Sequence, residues 1–145
     1  MSKRMWLALI LALPLAMLVG GLAAAPPDPK EVPAAVLEPA EGAKVEQSSE
    51  VIGEVLVPGW PVVLVKPLAG DQQWWVQSPV EEVRGGRFTT PVLFGNDETK
   101  SGTQFRIVIL VAKTKEEAMK FERGQTKGAL PPGLPRSEQV TVMRA

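Results

Sequence analysis

Beyond residue 35, nine of the 14 prolines and 11 of the 13 glycines of this 145-residue chain fall between short apolar runs rather than in one tract. That punctuation restricts the fold more than any other feature, because it leaves room for many short strands and turns but not for long helices. Within the runs the side chains alternate with period two. Val36-Leu37 opens the series. Val51, Gly53, Val55 and Val57 share one face of a second run. Pro61-Val62-Val63-Leu64-Val65 is continuously apolar and reads as a central strand. Trp74-Trp75-Val76-Gln77 is a short aromatic strand, and Arg87 to Val92 alternates after the Gly85-Gly86 turn. Phe105 to Val111 is rich in β-branched residues and is the strongest strand signal. In Glu138 to Arg144, Val140 and Val142 face one way and Thr141 and Met143 the other. One helical patch interrupts the series. Thr114 and Glu117 have capping-box spacing, Ala118, Met119 and Phe121 follow, and Gly124 supplies a stop, which predicts two to three turns. About seven strands without alternating helices predict an all-β antiparallel sandwich with one short helix. A closed barrel is the alternative, and no internal repeat is visible.

Two absences narrow the chemistry. The chain has no cysteine, so its domain has no disulfide, thiol nucleophile or lipidation site. About 110 residues must then hold together through an apolar core alone. It has no histidine either, which removes a Ser-His-Asp triad and the commonest metal ligand.

The first 25 residues carry Lys3 and Arg4 and no acid, so the remainder holds 14 basic against 16 acidic residues. A near-neutral domain of this kind offers no nucleic-acid surface. Met5 to Ala25 is uncharged for 21 residues. As a helix it would reach roughly 30 Å, the thickness of a bilayer core. The basic residues ahead of it keep the N-terminus inside and place the rest of the chain outside the cytoplasm. Both a single-pass anchor and a cleaved signal peptide fit. The small residues Gly20 to Ala25 suit a signal peptidase, and a cut after Ala23 would use Gly21 and Ala23. Pro26 blocks the cut after Ala25, and the run exceeds an ordinary signal core of roughly 7–15 residues, which favours the anchor. Residues 26–35 are proline-rich and read as a stiff spacer leading to a domain over 36–145.

The order of features resembles the immunoglobulin-like β-sandwich domains of bacterial secreted and surface proteins. The likeness covers about 110 residues. It rests on Glu38-Pro39-Ala40-Glu41-Gly42-Ala43-Lys44-Val45, Val51-Ile52-Gly53, Val62 to Val65, the Trp74 to Gln77 patch, Phe94-Gly95, Phe105 to Ala112 and Ser137 to Val142. The resemblance implies a role in adhesion, ligand binding or spacing, and no catalytic activity. The cysteine pair of antibody-type domains is missing, which rules that subtype out as a template.

The candidate binding residues are Trp60, Trp74, Trp75 and Gln77. Neighbouring strand residues point to opposite faces, so one of Trp74 and Trp75 fills the core. The other meets water or lies under the long segment Lys113 to Pro135. An indole in water beside Gln72, Gln73 and Gln77 would stack on a sugar ring while the amides bond its hydroxyls. Other polar groups read as ordinary surface. Asn96-Asp97-Glu98 has calcium-type oxygens but not the spacing of a calcium loop. Glu81-Glu82 and Glu116-Glu117 are sequence neighbours and cannot flank a glycosidic bond as a hydrolase pair must. Ser48, Ser49 and Ser101 have no histidine to activate them, and no helix follows Gly85-Gly86 to make a phosphate loop. The expectation is therefore a non-enzymatic binding or structural module without cofactor or metal. It would be attached to the membrane through Met5 to Ala25, or secreted or periplasmic. Its partner would be a glycan or another protein of the cell envelope.

Overall fold

The computed structural model describes residues 32–145. The apolar run Met5 to Ala25 and most of the proline-rich spacer lie outside the described residues. Among the described residues, no helix is long and apolar enough to cross a membrane. The strands are β1 (Ala34–Glu38), β2 (Lys44–Val45), β3 (Ser48–Val55), β4 (Trp60–Pro67), β5 (Trp74–Val76), β6 (Arg87–Leu93), β7 (Gln104–Ala112), β8 (Thr126–Lys127) and β9 (Val140–Arg144); all but the two-residue β2 and β8 lie where the sequence pattern places a strand. Between β7 and β8 lies α1 (Lys115–Met119). The first strand begins inside the stretch expected to be spacer. Ala34 is fully buried, and the Pro33 carbonyl accepts from the Leu56 N–H, because an edge strand can start beside a proline.

The strands form two sheets. A three-stranded sheet has the order β1-β3-β6, and a six-stranded sheet the order β2-β9-β7-β4-β5-β8. Every pairing is antiparallel except β2 with β9. The chain passes from one sheet to the other between β1 and β2, through the cis Glu38–Pro39 peptide and a turn at Gly42, whose N–H donates to the Thr141 carbonyl. The sheets are separate, so the closed-barrel alternative is not what forms.

Alternation decides which side chains meet between the sheets. From the small sheet come Ala34, Val51, Phe88 and Val92. The large sheet contributes Val63 and Val65 of β4, Phe105, Ile107, Ile109 and Val111 of β7, and Val142 of β9. Gly53 of β3 stands opposite Phe88 of β6, and the missing side chain there is the space that the phenyl ring fills on its way to Ile109 of the other sheet.

The large sheet is also covered on its outer face, which explains why β4 and β7 are apolar at consecutive positions. Val62, Leu64, Trp74, Val76, Val108, Leu110 and Ala112 form a second buried cluster there. Ala118, Phe121, Leu130 and Leu134 lie over it, all from the segment Lys113 to Pro135. That segment opens as expected, with the Glu117 N–H donating to the Thr114 hydroxyl at 3.2 Å. The helix stops after five residues rather than two to three turns. Only Ala118 of α1 is buried, so the helix has one apolar contact to extend it and the chain leaves to cover more of the sheet.

Ser137 fastens the far end of this cover. It is 4% exposed, and its hydroxyl accepts from the Ile109 N–H at 2.9 Å and donates to the Glu138 carbonyl at 2.9 Å. The side chain thus stands in for a strand carbonyl where β9 no longer pairs with β7, since their register ends at Ile107–Val140. Ser137→Ala leaves a buried N–H without an acceptor, and its expected cost is about 1–3 kcal/mol in urea unfolding. Ser137→Thr, which keeps the hydroxyl, should recover part of that loss.

Candidate functional site

The two sheets differ in width, and the difference makes the site. β5 lies beyond β4 on the large sheet, where the three-stranded sheet has no strand to face it. Trp75 pairs with Val65, a residue of the inter-sheet core, so its ring points to the inner side of the sheet. Lacking a strand opposite, the ring remains 45% exposed, whereas Trp74 on the other face is 3% exposed. A cleft of about 700 Å³ opens beside Trp75. Val65, Pro67 and Phe105 form its apolar floor, Leu93 (42% exposed) stands on the small-sheet side, and Asp71, Asn96, Thr103 and Arg123 supply its polar rim. An apolar concavity with a few polar groups around it is the usual form of a ligand site.

Gln77 closes one end. Its amide nitrogen donates to the Trp75 carbonyl at 3.2 Å, and its amide oxygen accepts from the Leu93 N–H at 2.9 Å. One buried side chain therefore ties the overhanging β5 to the edge of the small sheet and fixes the width of the cleft. The same bond protects β6. The odd-numbered positions of that strand turn their backbone toward the open edge. Arg87 N–H already donates to the Arg84 carbonyl, Pro91 has no N–H, and Leu93 N–H is held by Gln77. Three of the four donor positions on this edge are thus closed to an incoming strand, which is how natural sheets block edge-to-edge pairing.

Of the four residues singled out in the sequence, the structure brings Trp75 and Gln77 together on the cleft. Trp74 and Trp60 belong to the outer cluster on the opposite side of the large sheet. The Trp60 indole N–H donates to the Val80 carbonyl at 2.7 Å, and Lys115 Nζ stands 5.1 Å from its ring centroid. Lys66 Nζ lies 5.1 Å from the Trp74 ring centroid. Lysine stems over both rings complete the seal of that layer. Gln72 bonds back to the Leu68 carbonyl within its own turn. The Asn96 side-chain oxygen accepts from the Glu98 N–H at 2.9 Å, so it serves the turn after Gly95.

Sequence reading passed over Leu93 and Arg123. Leu93 ends a strand and looked like an ordinary alternating residue. Arg123 lies in an irregular loop with no motif around it. Its position is set by two backbone bonds to β5: Gly124 N–H to the Val76 carbonyl at 2.9 Å, and Val76 N–H to the Gln125 carbonyl at 3.0 Å.

A second recess of about 770 Å³ runs along the β6 edge. Glu81, Glu82, Arg84, Arg87 and Arg123 line it, and two of its arginines are already paired, Arg84 with Glu82 and Arg87 with Glu54. The one aromatic residue that lines it, Phe88, is buried in the core.

Comparison with protein-family models, with curated proteins and with solved structures returned no match. The cleft is therefore interpreted from its own chemistry.

Proposed function

We propose that this chain is a non-enzymatic binding module of the cell envelope, built on an immunoglobulin-like sandwich, whose ligand is a carbohydrate resting against Trp75. One observation carries the reading: a half-exposed indole faces a preformed cleft in a domain whose other aromatic rings are packed or covered. A flat ring lined by amide, hydroxyl and charged groups suits the apolar face and the hydroxyl edge of a sugar. The strand order supports the fold assignment. β4, β7 and β9 are adjacent in the large sheet, as strands C, F and G are in immunoglobulin domains, while β1, β3 and β6 follow the order of strands A, B and E. The uncharged run Met5 to Ala25 is the reason for placing the module outside the cytoplasm, held to the membrane or released from it.

Leu93 favours a second reading, in which the same region receives a protein partner, since two exposed apolar residues lining one cleft also suit an interface. Tryptophan fluorescence titration with neutral and acidic oligosaccharides separates the two. A carbohydrate ligand should shift or quench the emission of the native chain, and Trp75→Ala should lower affinity at least about tenfold by removing ring stacking worth about 1.4 kcal/mol or more. A titration that is flat for every sugar, with a co-purified protein lost on the same substitution, would replace the carbohydrate reading by the docking one.

A further inference from the structure

The geometry points to a carboxylate-bearing sugar as the ligand of the Trp75 cleft, with Arg123 as the residue that reads its acid group. This inference rests on the carbohydrate reading of the cleft and makes it specific. Arg123 lines both the cleft and the recess along β6. In that recess Arg84 and Arg87 have carboxylate partners, whereas Arg123 forms no ion pair among the described residues. The guanidinium is attached to a loop that its neighbour Gly124 hydrogen-bonds to Val76, one residue from Trp75. The backbone therefore keeps Arg123 at the cleft that Trp75 lines. A planar guanidinium matches a carboxylate in two parallel hydrogen bonds, which a hydroxyl cannot reproduce.

The cleft also has a direction. Asp71 lies in the turn before β5, and Arg123 lies beside its other end, so Trp75 stands between an acid and a base. An acidic sugar unit is repelled at the Asp71 end and bound at the Arg123 end, while the Asp71 carboxylate accepts from hydroxyls of the next unit. A chain of mixed units would thus lie in one orientation, its acid toward Arg123.

The test uses the full chain in mild detergent with two probes, an oligomer of galacturonate and the neutral galactose oligomer of equal length. At low ionic strength the native chain should bind the uronate about tenfold more tightly, the effect of one charge-assisted contact on a partly exposed site, and added salt should shrink the gap. Arg123→Gln should bring the two affinities within about twofold, and Arg123→Lys should keep part of the preference because it keeps the charge but not the fork. Thermal unfolding of each variant checks that the fold is unchanged. Equal affinity for both sugars in the native chain, or a preference that survives Arg123→Gln, overturns the role of Arg123 while the Trp75 reading stands. If neither sugar binds the native chain, this inference fails, and the carbohydrate reading fails with it where the wider oligosaccharide titration is flat as well.

Discussion

Trp74→Ala should remove about 3–5 kcal/mol of folding free energy, while the same change at the next residue should remove about 1 kcal/mol or less. The two tryptophans have identical chemistry and adjacent positions, so the contrast isolates what each face of β5 meets. Trp74 is buried in the outer cluster that the covering segment overlies, and Lys66 lies over its ring. Truncation there opens a cavity the size of an indole, and a rigid sheet collapses into it only in part. Trp75 has solvent over nearly half its surface, so its loss leaves little void. Urea unfolding of both variants measures the difference. A domain of this size has a total stability of roughly 5–15 kcal/mol, so Trp74→Ala can leave a substantial unfolded fraction at 37 °C. Equal losses at the two positions would mean that the cover over the outer face does not form in solution.

Gly53→Ala is the second large effect, with an expected loss of about 1–3 kcal/mol through overpacking. A methyl at that position would overlap the Phe88 ring and approach Ile109 Cδ1 to 2.8 Å. The isoleucine tip can rotate away. The phenyl ring cannot, since it is buried and enclosed by both sheets. The midpoint of thermal unfolding should fall by roughly 4–8 °C per kcal/mol lost. The clash should also be conditional on the ring. In Gly53→Ala combined with Phe88→Leu, the loss should be smaller than the sum of the two single losses, the signature of two positions sharing one volume. Strict additivity would show that the glycine serves the strand backbone instead.

Much of the architecture was legible because sheets are encoded by a short period. The alternation at β3, β6 and β9 and the apolar run at β4 are local signals, and the strands lie where those signals are. The opposition of Trp74 and Trp75 followed from the same rule. Which of the pair reaches water did not follow, because it depends on how many strands the facing sheet has, and no stretch around residue 75 carries that information. β2 and β8 were unreadable for a different reason. Each has two residues, too few for any period, and each exists only because a neighbouring strand offers free backbone groups. Gln77 reads in the sequence as a sugar-facing amide, but one of its two hydrogen bonds spans 16 residues to Leu93, and long-range pairing of this kind leaves no local trace. Arg123 resembles every other charged loop residue until the loop is docked on β5.

The unequal width of the sheets has a consequence for how such a protein can diversify. Trp75, Leu93, Asp71 and Arg123 stand on a ledge that exists because one layer is broader than the other, and all four are exposed. Under the proposed binding role, exchanging them would alter recognition without opening the interior. Selection can therefore rewrite what the ledge holds through successive single substitutions, each nearly neutral for folding, while the layers beneath remain the same scaffold.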